Sequence, residues 1–349
     1  MINNQPLTIH VKASGEYDIL IAEGAIFSVG NYIKEVISQC KIAIITDDTV
    51  DKLYSQMVSE SLLKNGYEVV KYVFPHGEQS KNIDTYGDIL NFLTENQLTR
   101  ADCIVALGGG VVGDMAGFVA STYLRGIKYV QIPTTLLAQI DSSVGGKTAI
   151  DLKNGKNLAG AFCQPQLVIC DITTLYTLPP SVFDEGMGEA AKYAILDAQI
   201  FELIKSDLCD LKKLIYLCID YKRQVVEIDE FEKNQRKLLN LGHTVAHGIE
   251  RLSEYKIPHG KAVAMGLYII LKASLKQGYI DNETYDLMVS TISKIAKDDG
   301  CPYEIEQIAN ASLTDKKRSG DTITVVTVHG VGDCRLTQVK IFDLTEFLS

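Results

Sequence analysis

The 349 residues contain no CxxC pair, no apolar run of membrane-spanning length, no basic leader and no excess of positive charge. Each absence excludes a class of function. Without CxxC, zinc ribbons and redox dithiols are excluded. The eight cysteines (Cys40, Cys103, Cys163, Cys170, Cys209, Cys218, Cys301, Cys334) are scattered, mostly in apolar runs, and read as reduced thiols filling a core. The opening MINNQPLTIHV has neither a basic n-region nor an apolar h-region, and no later stretch is long enough to span a bilayer. A cytoplasmic protein with no membrane partner is expected. The net charge of −10 argues against a nucleic-acid binder, which needs a basic face. It leaves room for a small anionic substrate in a locally basic pocket. No internal repeat or low-complexity tract occurs.

With 46% hydrophobic and 22% charged residues the chain is of ordinary globular composition, and its length allows two domains with substantial cores. LTIHV, YDILIAEG, KIAIITDD, EVVKYVF, DCIVALGGG, YVQIPTT and LVICD have strand length and buried-strand composition. Helical stretches alternate with them, among them 49–65 and 83–96. This pattern predicts an α/β domain with a mainly parallel sheet over residues 1–178. Around Pro179 and Pro180 the texture changes to helix after helix, predicting an all-α domain over residues 179–349. The expected helices are Ser181–Ile195, Ala198–Ser206, Leu208–Glu227, Gln235–Leu252, His259–Gln277 and Asn282–Ala296. One late extended stretch, DTITVVTVHGVGDCRL, reads as a small hairpin.

Several stretches carry chemistry. In LGGGVVGDMAG, Gly108, Gly110 and Gly113 satisfy GxGxxG between a predicted strand and helix, where backbone N–H groups can approach a pyrophosphate. The acid expected about 20 residues later is missing, so Asp47 at the end of KIAIITDD is the candidate ribose contact. IDSSVGGKT fails the Walker pattern, because Asp141 stands where a glycine is required. Lys147, Lys156 and Asn157 remain candidate anion contacts. The stretch 236–260 holds His243 and His247, four apart and so on one helix face, with His259 after Pro258. Three imidazoles brought together can bind a divalent metal. Glu189 in GMGEAAKY is three residues from Lys192 and offers a carboxylate to two histidines. Arg236 and Asn240, seven and three residues before His243, are expected on roughly the same face, the arginine as an anion fork.

Taken together, PHGEQSK, LGGGVVGDMAGFVASTYLRG, PTTLLAQIDSSVGGKTAIDLKNGKNLAGAFCQP, TLPPSVFDEGMGEAAKY, RKLLNLGHTVAHGIE and HGKAVAMG resemble the 3-dehydroquinate synthases of the sugar-phosphate cyclase superfamily. They stand in the family's order and span nearly the whole chain. The resemblance implies a dehydroquinate synthase-like fold: an NAD-binding α/β domain, a helical domain and an active site in the cleft between them. Glu189, His243 and His259 fall on the family's metal ligands, usually for zinc, with cobalt as a substitute. Asp47, Glu78, Lys81, Gly110, Val111, Val112, Gly113, Asp114, Thr134, Thr135, Thr174, Leu175, Tyr176 and Thr177 fall on its NAD contacts, with Lys147 and Lys156 beside them. Asp141, Lys147, Asn157, Lys192, Lys222, Arg236, Asn240, His247 and a lysine of the Lys316/Lys317 pair fall on its substrate positions. Arg125 matches an arginine donated across a dimer interface, which implies a homodimer. Three positions depart from the usual pattern: Asn234 for glycine, Gly248 for alanine and Lys261 for an acid. None is a catalytic position.

The implied reaction turns 3-deoxy-D-arabino-heptulosonate 7-phosphate into 3-dehydroquinate and phosphate. It runs through transient NAD-dependent oxidation, phosphate elimination, re-reduction, ring opening and aldol closure, with the metal as Lewis acid. No net redox change occurs, and the departing phosphate can take the proton, so no protein base is assigned. Two enzymes of the same architecture are the rival readings: another sugar-phosphate cyclase such as 2-deoxy-scyllo-inosose synthase, and a metal-dependent polyol dehydrogenase. A catalytically dead binding protein is the rival of a different class, and retention of the metal and lysine positions argues against it.

Overall fold

The computed structural model of the protein describes residues 6–206, 210–312, 318–319 and 321–349. The chain divides into two compact units, Met1–Leu178 and Pro179–Ser349.

The first unit is built on strands β1 (Leu7–Lys12), β2 (Glu16–Ala22), β3 (Lys41–Asp47), β4 (Glu68–Phe74), β5 (Cys103–Gly108), β6 (Lys128–Pro133), β7 (Lys147–Leu152), β8 (Gly155–Phe162) and β9 (Leu167–Asp171). Seven of them form one sheet in the order β1-β2-β9-β6-β5-β3-β4. Only β1 and β2 are antiparallel; the other neighbours are parallel. Strands β3, β5 and β9 are apolar runs because both faces of the sheet are covered. Helices α1 (Val29–Ile33) and α3 (Gln56–Lys64) bury Val29, Ile33, Val58 and Leu62 against one face. Helices α4 (Ile83–Glu95) and α5 (Gly110–Thr122) bury Ile89, Leu93, Met115 and Val119 against the other. A one-turn helix α2 (Asp48–Val50) and a π-helical turn (Asp51–Ser55) lead from β3 into α3. The helix expected over 49–65 therefore exists with a π-helical turn inside it.

Chain order reverses at β3 and β5. From β3 the chain moves outward to β4, and from β5 it moves the other way to β6. Ligands of open α/β sheets gather at such a switch point, beyond the carboxyl ends of the strands. Asp47 and Gly108 end the two strands that flank it. Strands β7 and β8 form a separate antiparallel hairpin absent from the sequence reading. A two-residue turn, Lys153–Asn154, joins them, with Gly155 pairing Leu152.

The second unit contains α6 (Pro180–Leu196), α7 (Ala198–Lys205), α8 (Leu211–Ile228), α9 (His243–Leu252), α10 (His259–Lys276), α11 (Asn282–Ile292), α12 (Ile305–Ser312) and α13 (Leu344–Leu348). A small sheet of β10 (Arg318–Ser319), β11 (Thr322–Gly330) and β12 (Asp333–Lys340) accompanies them. The late hairpin thus forms and gains a third strand, so the unit is mainly but not purely helical. The helix expected over Gln235–Leu252 is broken. A 3-10 turn covers Gln235–Asn240, Gly242 takes a left-handed φ of 77°, and α9 starts only at His243. Arg236 and Asn240 therefore do not continue the face of α9, contrary to the expectation of a single helix. The sequence pattern runs apolar through the break, which hid it.

Helix α10 is central and buries most of its length. It is approached closely at glycines. A Cβ on Gly260 would stand 1.9 Å from the Glu185 carbonyl oxygen, and one on Gly188 2.1 Å from the Gly260 carbonyl oxygen. Further along, a Cβ on Gly266 would stand 2.3 Å from the Gly242 carbonyl oxygen. These contacts set α6 and the start of α9 directly against α10. Gly248 is also required here, since a Cβ there would meet Ser312 Oγ at 2.6 Å and the Ile308 carbonyl oxygen at 2.8 Å. Close packing of α12 accounts for the missing alanine.

Gly260→Ala drives a methyl group into backbone that no rotamer change can move. The expected cost is about 3 kcal/mol. It should appear as a fall in thermal midpoint on the order of 6–12 °C by calorimetry, and a fall of less than about 2 °C would contradict the packing.

Candidate metal and nucleotide sites

Glu189 lies in α6 one residue after Gly188, so the glycine contact that joins α6 to α10 also brings it beside His259, the first residue of α10. Its side chain is fully buried, and Oε1 stands 3.1 Å from His259 Nε2 and 3.3 Å from His243 Nε2. The ligand atoms of Glu189, His243 and His259 all lie within 4.8 Å of one another. Oε2 is 2.7 Å from the buried Lys192 ammonium, one helical turn on, but among the described residues it has no hydrogen bond of normal geometry.

The protons on these rings reveal what the cluster is built for. His243 Nδ1 is 3.1 Å from the Leu241 carbonyl oxygen, which can only accept, so Nδ1 carries the hydrogen. Burial pushes the His243 pKa down to about 4, against the pull of Glu189, so the ring is neutral. Its Nε2 lone pair then faces a carboxylate oxygen. Two acceptors face each other, an arrangement that a cation resolves.

His259 differs. Burial disfavours its charge too, but hydrogen bonds and charges from Glu189 and Glu250 outweigh this and raise it to about 10. Burial likewise opposes ionisation of Glu189, yet Lys192 and the two histidines hold its carboxyl well below the usual range. Without metal, one proton therefore sits on His259 between two carboxylates. That charge contributes stability complete below about pH 6.5, the unfolded value, and lost as pH rises through about 10.

Around this cluster the His247 ring lies edge-on to His243 at 5.7 Å and roughly parallel to His259 at 6.3 Å. Lys222 is buried on α8, which packs on the turn Gln235–Asn240. Arg236, in that turn, is also buried; its guanidinium donates to the Glu230 carbonyl, and Asn240 donates to Glu232 Oε1 at 2.5 Å. Lys316 and Lys317 lie outside the described residues. Lys261 pairs with Asp299 at 2.8 Å, both about half-exposed, so solvent screens its charge from the cluster.

Three residues here escaped the sequence reading. Glu250 is buried with Oε1 3.3 Å from His259 Nδ1. Its signal was position: seven residues after His243 and three after His247, it shares their helix face. Asp229 accepts from the backbone N–H groups of Lys233, Asn234 and Arg236 and so fixes the turn that carries Arg236. Glu232 holds Asn240 from a left-handed φ of 57°, which no local motif announced.

In the first unit, Gly110 opens α5 directly after β5, with Val111, Val112, Gly113 and Asp114 in its first turns. The Asp47 carboxylate accepts from the N–H groups of Thr49 and Val50. Thr134, with Thr135 after it, follows β6, and among the described residues its buried hydroxyl lacks a hydrogen-bond partner, as does that of Thr46 beside Asp47. Unsatisfied buried hydroxyls and a glycine-lined helix start at the switch point suit a bound nucleotide.

Lys81, Asp114 and Asn157 form one knot. The buried Lys81 ammonium donates to Asp114 Oδ2 and to Asn157 Oδ1, each at 2.6 Å. Burial alone would discharge this lysine, but Asp114 and Glu78 raise its pKa. Asn157 N–H donates to Asp151, and Lys156 lies 3.6 Å from Glu78. Lys147 is exposed at the start of β7, and Asp141 lies in a π-helical turn, Ala138–Ser142. Thr174, Leu175, Tyr176 and Thr177 share a 3-10 turn, where Tyr54 hydroxyl bonds Thr177 Oγ1 and Thr174 spends its hydroxyl on the Asp171 carbonyl. Arg125 is exposed after α5 with φ 68°, behind Leu124 at φ 51°.

Residues 71–185 match the family described as 3-dehydroquinate synthase N-terminal, and residues 186–318 the one described as 3-dehydroquinate synthase C-terminal. The 3-dehydroquinate synthase of Streptococcus suis is 42% identical over 342 residues, covering 95% of this chain and 96% of its own. That of Clostridium acetobutylicum is 42% identical over 345 residues, with the same coverage. A 2-deoxy-scyllo-inosose synthase solved with carbaglucose-6-phosphate, NAD+ and Co2+ superposes with a TM-score of 0.86 at 25% identity, covering 98% of this chain and 99% of its own.

Metal entering this cluster must displace the proton held by His259. Titrating zinc into metal-free protein near pH 7.5, in buffers of different ionisation enthalpy, should show about one proton released per ion bound. Release of none would contradict the protonation assigned to His259.

Proposed function

This chain belongs to the 3-dehydroquinate synthase family, and from that premise we propose how its residues close 3-deoxy-D-arabino-heptulosonate 7-phosphate into 3-dehydroquinate with loss of phosphate. The observation that carries the reading is the acceptor-to-acceptor contact of Glu189 Oε1 with the neutral His243 Nε2, completed by His259. A dication fits there: two imidazoles and one carboxylate with further positions open are the donor set of a catalytic zinc site. Residues 179–349 supply that site and the substrate contacts, and residues 1–178 hold NAD at the switch point. When bound, the ion supplies Lewis acidity toward a substrate hydroxyl and the nicotinamide a reversible hydride acceptor.

The remaining work falls to side chains of this chain. Lys192, Lys222 and Arg236 concentrate positive charge in an acidic protein and would neutralise the substrate carboxylate and phosphate, with Lys147 adding a further ammonium. Arg236 is held by its bond to the Glu230 carbonyl and by the turn that Asp229 fixes, so its planar fork is pre-set for a bidentate partner. Asn240, steadied by Glu232, would orient a substrate hydroxyl. His247, beside both ligating rings, would hold or pass a proton at such a hydroxyl. Asp141 and a lysine of the Lys316/Lys317 pair complete the substrate set by family position.

For the nucleotide, Gly110, Gly113 and the start of α5 would receive the pyrophosphate, and Asp47 a ribose hydroxyl. Lys81 reaches Asp114 and Asn157 and ties the hairpin β7–β8 to α5, so its role is to fix that hairpin as well as to contact NAD. Arg125 stands exposed on a left-handed turn, which suits a contact donated to a second copy, and a homodimer is proposed accordingly. Free thiols at all seven described cysteines accord with a cytoplasmic setting. Among the described residues no helix is long and apolar enough to cross a membrane.

The test supplies 3-deoxy-D-arabino-heptulosonate 7-phosphate with NAD well below substrate concentration and follows phosphate, dehydroquinate and NADH together. Phosphate and dehydroquinate should appear in equal amounts without accumulating NADH. Prior chelation should abolish both and added zinc or cobalt restore them. Steady NADH accumulation, or full activity in rigorously metal-free protein, would overturn the reading.

A further inference from the structure

Glu250 has been given no part in the reaction so far, yet it is a carboxylate buried to 4% exposure beside a proposed ligand. An ionised acid in that position is strongly disfavoured unless it is compensated. Its Oε1 lies 3.3 Å from His259 Nδ1, while His259 Nε2 faces Glu189 Oε1 at 3.1 Å. The two ring nitrogens therefore point at two different carboxylates from opposite sides. We propose that Glu250 is the positioning residue of the metal site: it holds the Nδ1 hydrogen of His259 and so presents Nε2, as a lone pair of fixed direction, to the ion.

The placement of His259 explains why such a residue is needed. It is the first residue of α10, with Pro258 as its N-cap, so no preceding helical turn packs against the ring. Its side chain is still 32% exposed, in contrast to 11% for His243. His243 is oriented by backbone, through Nδ1–H to the Leu241 carbonyl. The Glu250 carboxylate performs for His259 what that carbonyl does for His243, with a full negative charge added. A carboxylate behind a ligating imidazole fixes its tautomer and raises its basicity toward the metal. Glu250 is itself held in α9, the helix that carries His243, so one rigid element sets one ligand directly and aims another. The carboxylate also leaves the site with more negative charge than its ligands alone supply, which favours a dication.

This inference rests on the reading of Glu189, His243 and His259 as the metal site, and the experiment separates the two. Dissociation constants for zinc are measured by chelator competition on wild type, Glu250→Gln, Glu250→Ala and His243→Ala, alongside thermal midpoints of the metal-free proteins. Glu250→Gln keeps shape and one acceptor but removes charge, and should bind zinc about tenfold more weakly. Glu250→Ala removes the acceptor as well and should lose about a hundredfold. In the cobalt-loaded proteins the visible band should shift for both variants, a change that a merely structural role would not produce. Wild-type affinity and an unshifted band in Glu250→Gln would overturn the inference while leaving the site intact; should the alanine variant fail to fold, the glutamine variant decides alone. If wild type and His243→Ala bind zinc equally, the metal site itself is wrong and the inference falls with it.

Discussion

A fully buried carboxylate must be met by positive charge or proton donors, and the second unit is organised around meeting that demand at Glu189. Lys192 takes one oxygen; two imidazoles face the other. Such proximity requires three helices to approach more closely than side chains normally permit. Gly188 and Gly260 allow it between α6 and α10, and Gly242 and Gly266 between the start of α9 and α10. The glycines are thus part of the site although none carries a reactive group. The residual mismatch, a neutral imidazole lone pair aimed at a carboxylate oxygen, is one that a dication would remove.

The same economy of charge governs the whole molecule. The chain carries a net charge of −10, yet its buried ionisable residues include Lys81, Lys192, Lys222 and Arg236. Long basic side chains are rarely buried to this extent without partners. Lys81 and Lys192 have theirs in Asp114 and Glu189. Buried bases of this kind can serve a small anionic substrate even in a chain whose net charge is negative.

What was legible in the sequence follows a physical pattern. Strands buried on both faces show as unbroken apolar runs, so the parallel sheet could be read from KIAIITD, CIVALG and LVICD. Spacing made His243 and His247 look like a ligand pair, because it reports helix faces and not distances across helices. The residues alone offered Glu189 and all three histidines, and the resemblance to known synthases narrowed the set to Glu189, His243 and His259. The break at Gly242 was hidden because apolar residues continue through it, and the β7–β8 hairpin because a glycine-rich stretch was read for anion binding and not for its Lys153–Asn154 turn. Glu250 went unnoticed because a buried acid looks in sequence like any helical surface acid. Its partner, His259, stands on the next helix.

The most direct check on the central claim is X-ray absorption at the metal edge of zinc- or cobalt-loaded protein. The account predicts two imidazole nitrogens and carboxylate or water oxygens at about 2.0–2.2 Å, with one imidazole lost in His259→Ala. A sulfur shell near about 2.3 Å, or a spectrum with no imidazole scattering, would contradict it.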